Sequence, residues 1–137
     1  MLISAGALSG YEFGPGELNP YDQFQKLRPT AVIDDGVFVF DGHFQIPLAS
    51  ALNHLSRGKR MAENGDLPGA LQELQTAARL APRSARIQAE LGNLLIRLSQ
   101  KDQARPILQR ALMLARTIEP DHQQDIAADL QRTLDQK

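Results

Sequence analysis

The sequence predicts a mainly α fold: an antiparallel helix-pair solenoid of two repeats and a C-terminal capping helix, preceded by a short β segment. Three observations carry this. A 34-residue offset places Gly58 on Gly92, Met61 on Leu95, Ala70 on Ala104, Leu74 on Leu108, Ala77 on Ala111 and Leu80 on Leu114. Self-similarity at one fixed period of this size marks a stacked helix–turn–helix unit. All seven aromatics (Tyr11, Phe13, Tyr21, Phe24, Phe38, Phe40, Phe44) lie in the first 44 residues. Charge divides at the same place, with two basic and six acidic side chains in residues 1–44 against thirteen and ten in residues 45–137. The boundary is set at Gln45–Pro47, which separates a β- and turn-rich segment, 1–46, from a helical domain, 47–137.

The composition excludes several classes. With 137 residues, the chain is long enough to bury a core. Its net charge of −1 gives no global field for nucleic acid or anionic membrane. The absence of cysteine removes disulfides, thiol catalysis and thiolate zinc sites. No apolar run approaches the roughly 20 residues that span a bilayer. The first residues lack the basic stretch and long apolar run of a signal peptide.

Within the first segment, Leu2 to Leu8 reads as a short strand. Gly10, Gly14, Pro15, Gly16 and Pro20 then impose a loop. Tyr21 to Leu27 reads as one helical turn with Tyr21, Phe24 and Leu27 on one side, stopped by Pro29. Residues 31–46 read as a hairpin. Ala31 to Ile33 is β-prone, Asp34-Asp35-Gly36 turns, and Val37 to Phe40 is the strongest strand signal. Asp41-Gly42 is a second turn, and His43 to Ile46 returns. The apolar run 37–40 does not alternate, as in a strand covered on both faces.

The helices follow. Leu48, Ala51, Leu52, Leu55 and Ala62 stripe the first, and Asn64-Gly65 stops it. Asp66 caps the second, Pro68 sits in its first turn, Leu71, Leu74, Ala77, Ala78 and Leu80 make its inner face, and Pro82 ends it. Ser84 caps the third, striped by Ile87, Leu91, Leu94, Leu95 and Leu98. Asp102 is expected to cap the fourth, with Pro106 in its first turn and Ile107, Leu108, Ala111, Leu112 and Leu114 along its inner face. The repeats then span about 51–84 and 85–118. Pro120-Asp121 opens a capping helix, about 121–135, with Asp121 and Gln124 as a capping box. Ile126, Leu130 and Leu134 line its inner side; Asp125, Asp129, Arg132 and Asp135 face water.

The six pairs at one offset make residues 48–118 resemble the tetratricopeptide repeat family. Departures are Arg57 where Leu91 recurs, His54 and Gln88 in place of a large aromatic, and Ser99 in place of Gly65; the outer edge of the first repeat is therefore degenerate or covered by the hairpin. The resemblance implies a scaffold that binds a protein or peptide, with the first helix of each pair lining a concave groove. Leu52, Leu55, Lys59, Ala62 and Glu63 would face it from the first repeat, and Arg86, Ala89, Asn93, Ile96 and Arg97 from the second. Lys59, Asn93 and Arg97 would hold a carboxylate or an acidic segment. The competing reading of these charges is a solvated face.

A second resemblance comes from the strings LISAGALSGYEF, NPYDQF and LRPTAVIDDGVFVFDGHF. On Ser4, Leu8, Gly10, Pro20, Tyr21, Phe24, Pro29 and Val37 to Phe40, residues 2–44 resemble the end of the extracytoplasmic domain of bacterial dolichyl-phosphate-mannose–protein mannosyltransferase-like membrane glycosyltransferases. The Asp34-Asp35-Gly36 turn departs from that pattern. This resemblance implies a C-terminal, non-catalytic piece of a larger membrane enzyme on the extracytoplasmic side; the alternative compartment is the cytoplasm.

No catalytic residue is assigned. His43, His54 and His122 are scattered without ligand-like partners, so neither metal nor cofactor is expected. Asp34-Asp35 is read as a turn. The helical part has no aromatic for base stacking, which argues against nucleic acid. Contact with a membrane is expected only through a parent protein. Three functional readings remain: an interaction scaffold, an accessory domain that shapes substrate access in a glycosyltransferase, and a free-standing adaptor or homodimer associating through Val37 to Phe40.

Overall fold

The computed structural model describes residues 1–13, 18–34, 36–118 and 124–136. Expectations for Gly14, Pro15, Gly16, Asp35, Pro120, Asp121 and His122 lie outside the described residues, as do the side chains of Gln124, Asp125, Ile126 and Asp129. The chain divides into two compact units, Met1–Ala49 and Ser50–Lys137.

The first unit is built on a three-stranded antiparallel sheet, β1 (Leu2–Ser4), β2 (Ala31–Ile33) and β3 (Val37–Val39), in the order β1-β3-β2. Leu2, Ile3 and Ser4 face Val39, Phe38 and Val37; Ala31, Val32 and Ile33 face the same three from the other side. This corrects two expectations. The return strand His43–Ile46 does not form, because β1 and β2 already hold both edges of β3. Residues 43–46 have no regular structure, and Phe44 packs edge-on to Phe24 at 4.8 Å. Val37 to Phe40 is therefore no free edge for a partner strand. Its unalternating apolar run reflects a central position, with Val37 to Val39 half-buried and Phe40 buried.

The first strand is also shorter than expected. Ser4 ends it because its hydroxyl accepts the Ala7 N–H at 3.1 Å and so caps α1 (Ala5–Ser9). Gly10, at φ +81°, closes that helix. A 3-10 turn, Asp22–Lys26, places Phe24 wholly inside, against Phe40 at 5.1 Å between ring centres. Leu27, expected beside Phe24, is 45% exposed, since the tight turn ends at Lys26 and the chain extends there. Ile3, Ala7, Phe24 and Phe40 form the core of this unit.

The second unit contains α2 (Pro47–Glu63), which starts just before the division, α3 (Leu67–Leu80), α4 (Ala85–Arg97), α5 (Lys101–Ile118) and α6 (Gln124–Asp135). The stops and starts are local chemistry. Asp66 accepts the Gly69 N–H at 2.9 Å, and Pro68 sits at the second helical position. Ser84 accepts the Ile87 N–H, and α3 ends at Leu80 ahead of Pro82.

The two repeats close α2 and α4 with the same backbone device. Gly65 N–H donates to the Ala62 carbonyl and Asp66 N–H to Met61. Thirty-four residues on, Ser99 donates to Ile96 and Gln100 to Leu95. Both turns need a left-handed residue; Gly65 has φ +88° and Ser99 φ +61°.

Helix pairs pack through the small residues. A Cβ on Gly92 would lie 2.5 Å from Leu108 Cδ2, and one on Gly58 3.0 Å from Leu74 Cγ. Leu74 and Leu108 are repeat equivalents, so one large residue over one glycine recurs at each pair. Leu80 departs from its expected inner position and is 36% exposed at the end of α3.

The start of α5 differs too. The helix begins at Lys101, so Asp102 is its second residue rather than its cap. Pro106 then lies in the second turn, inside the helix, where it removes the bond its N–H would give to the Asp102 carbonyl. Leu130 is buried on α6 and Leu134 half-buried, in keeping with a narrow inner stripe.

Candidate protein-binding surface

The candidate groove residues lie on α2 and α4. Lys59 Nζ meets Glu90 Oε1 of α4 at 3.0 Å. Near the C-terminal ends, Arg97 donates to the Ala62 carbonyl of α2 at 3.2 Å. Both links rise in number together along the two helices, so α2 and α4 run parallel as neighbours, each followed by an antiparallel partner. This is the arrangement of a helical-repeat solenoid, with the first helices of successive pairs side by side.

The surface so formed is selective in what it offers. Leu55 is only 3% exposed and Ala62 is buried, so both support the surface rather than present a side chain to a ligand. Ala89 and Ile96 are half-buried on α4 and give it an apolar floor. Glu63, Arg86 and Asn93 are exposed around that floor. Lys59 and Arg97, read from sequence as carboxylate holders, are already engaged in joining the two helices. An incoming carboxylate has to compete with Glu90 for Lys59, which weakens that part of the expectation on simple charge grounds.

A polar cluster that sequence reading missed lies between α2 and α3. His54 Nδ1 is 2.6 Å from Glu73 Oε2, and Arg57 reaches the same oxygen at 3.2 Å. Arg57 is also 3.0 Å from His54 Nδ1. One nitrogen cannot donate to Glu73 and accept from Arg57 at once; the shorter contact to a carboxylate sets Nδ1 as the donor. The hydrogen bond from His54, followed by the charge of Arg57, holds the Glu73 carboxyl below its ordinary range. Burial pushes the other way and loses. Here the degenerate edge of the first repeat has its explanation: Arg57 stands where Leu91 recurs because it pairs with Glu73. Nothing local signalled it, since the acid is nineteen residues away on the next helix. Gln88, the other aromatic replacement, is buried and donates to the Pro82 carbonyl at 3.4 Å.

A second missed feature is a cavity of about 410 Å³ where α4, α5 and α6 meet. Ile96 forms part of its wall, so it borders the α2–α4 surface. Among the described residues, no group of three or more histidine, cysteine or acidic side chains is placed to hold a metal ion, and no helix is long and apolar enough to cross a membrane.

Comparison with known families agrees with this geometry. The tetratricopeptide repeat model matches residues 61–130, half of the chain, from the last turn of α2 into α6. The chain belongs to the tetratricopeptide repeat family. The repeats of this family generally mediate protein–protein interaction and are typically non-catalytic. No curated protein matches the chain. The match leaves residues 2–44 outside it.

Proposed function

We propose that this chain is a protein-interaction module whose recognition surface is the side-by-side face of α2 and α4. The observation that supports it is the pinning of these helices by Lys59–Glu90 and Arg97–Ala62, which fixes an exposed strip of Glu63, Arg86 and Asn93 over Ala89 and Ile96. A rigid, preformed strip of this kind binds an extended segment without the ordering cost of a mobile one. The segment is a protein or peptide rather than a nucleic acid, because the helices carry no aromatic side chain for stacking.

The test is selection from a displayed peptide library against the full chain. The selected peptides are then measured on a Glu63→Arg, Asn93→Arg double variant, which changes only exposed positions. Loss of binding supports the reading. Equal binding to both proteins places recognition elsewhere and overturns it.

The resemblance of residues 2–44 supports a finer proposal. In it the chain is the non-catalytic C-terminal part of a membrane glycosyltransferase-like protein, displayed on the extracytoplasmic side. Reading the coding sequence upstream of Leu2 decides this: many long apolar segments support it, and their absence removes it in favour of a free-standing adaptor.

A further inference from the structure

We infer that the cavity between α4, α5 and α6 is a second recognition site, and that it takes an acidic peptide segment through one bulky apolar side chain. Its volume, about 410 Å³, falls within the range of sites that enclose organic groups. The floor is apolar: Ile96, Ala104, Leu108 and Leu134 line it, and Ala104 and Leu108 are almost fully buried beneath it. An apolar floor of this kind holds water poorly and gains by exchanging it for a hydrocarbon side chain.

The rim sets the charge of the occupant. Lys101 and Arg105 stand one helical turn apart on α5, both exposed, both lining the cavity. Neither makes an ion pair among the described residues, in contrast to Lys59 and Arg57, which do. Asp102 also lines the cavity, so among the described residues the rim carries two positive charges against one negative. The polar wall is closed by Thr133 of α6 and by Gln136, which follows the helix end. The Gln136 amide offers both a donor and an acceptor; a peptide unit matches both, a fatty-acid carboxylate only the donor. The occupant is therefore a backbone segment carrying a Leu-sized side chain next to carboxylates. This inference rests on the peptide-binding reading of the fold, but on α5 and α6 rather than on the exposed strip of α2 and α4.

Fluorescence anisotropy of the full chain with a labelled Glu-Asp-Leu-Glu-Asp peptide tests it, beside a Glu-Asp-Ala-Glu-Asp and a Lys-Arg-Leu-Lys-Arg control. The leucine-bearing acidic peptide is expected to bind best, and added salt to weaken it. Lys101→Glu with Arg105→Glu changes two exposed side chains and should weaken it about tenfold, as two attractive contacts become repulsive. Thr133→Phe fills the cavity from its α6 wall and should abolish binding, provided its thermal melt matches the parent. Asn93→Arg should leave binding unchanged.

Several results overturn the inference: no binding of the acidic peptide, equal binding of the alanine control, or indifference to the cavity variants. If Asn93→Arg removes binding and the cavity variants do not, the α2–α4 surface stands and the cavity site falls. Sedimentation of the parent chain supplies one more arm. Self-association that the Lys101 and Arg105 reversals remove would make a second copy the occupant, and would overturn the peptide reading.

Discussion

Gly65 and Ser99 occupy equivalent turns and make equivalent backbone hydrogen bonds, yet only one is suited to the conformation. A side chain in the left-handed region costs roughly 1 kcal/mol, partly offset by the greater chain entropy that glycine loses on folding. Nothing lies within 4 Å of a Cβ built on Gly65, so packing does not enter. Ser99→Gly should therefore raise stability by about 0.5–1 kcal/mol, and Gly65→Ser should lower it by about the same. Urea denaturation of both variants checks this; shifts in one direction would break the equivalence of the two turns. Glu73 gives a prediction with a pH sign. Its folded pKa is depressed, so its contribution is present above the ordinary carboxylate value and is lost as pH falls through the depressed one. Glu73→Gln should melt below the parent near about pH 7, and the gap should shrink as pH falls below the ordinary carboxylate range and close once the depressed pKa is passed. A gap that persists in acid would assign the loss to packing rather than to the carboxylate held by His54 and Arg57.

Helix pairing turns on the two glycines, which are not equally tight. A methyl group at Gly92 runs into both Cδ2 and Cγ of buried Leu108, at 2.5 and 2.6 Å. At Gly58 the nearest atom is 3.0 Å away. Alanine in place of glycine stabilises an isolated helix by about 1 kcal/mol, while overpacking costs about 1–3 kcal/mol. Gly92→Ala should thus destabilise by up to about 2 kcal/mol, and Gly58→Ala should stay within about 1 kcal/mol of the parent. Leu108→Ala alone should cost about 2–5 kcal/mol. In the Gly92→Ala background it should cost less, because the new methyl group enters the space the leucine leaves; a double-mutant cycle with strict additivity would deny the contact. These elements were legible in sequence because their signals are local: Gly65 and Asp66 at one boundary, Ser84 at another, and a common offset for everything between. The start of α5 was misjudged by two residues because Asp102 is a good capping residue that happens to lie one position inside the helix. The pairing of β3 was misjudged for a different reason. Which of two apolar segments takes its free edge is settled by residues nearly forty positions apart, and no local pattern at His43–Ile46 reveals that Leu2–Ser4 prevails.

At the scale of the whole molecule, the uneven composition has a structural counterpart in two compact units, each with a core of its own chemistry. One is aromatic, centred on Phe24 among Tyr21, Phe40 and Phe44; the other is aliphatic, built from alanine and leucine at repeat positions. The candidate binding surface was only half legible for a related reason. Position along the repeat put Glu63, Asn93 and Ile96 on the first helices of the two pairs, where Glu63 and Asn93 are exposed and Ile96 is half-buried. Whether a charge is free or engaged depends on residues from another helix, and so the roles of Lys59 and Arg97 needed the fold. The same partition makes the two cores separately observable. Every tyrosine and phenylalanine lies in residues 1–44, so near-ultraviolet dichroism reports the first unit alone. Far-ultraviolet helical ellipticity comes mainly from α2 to α6. Phe24 is fully buried, and Phe24→Ala should cost about 3–5 kcal/mol, more than a core of four buried residues is expected to spare. The near-ultraviolet signal of the variant should collapse while the helical ellipticity and its melting transition persist, because no residue of the repeat core is changed. If the helical transition falls along with the aromatic signal, the aromatic unit is not an independent fold but a part of what holds the repeats together.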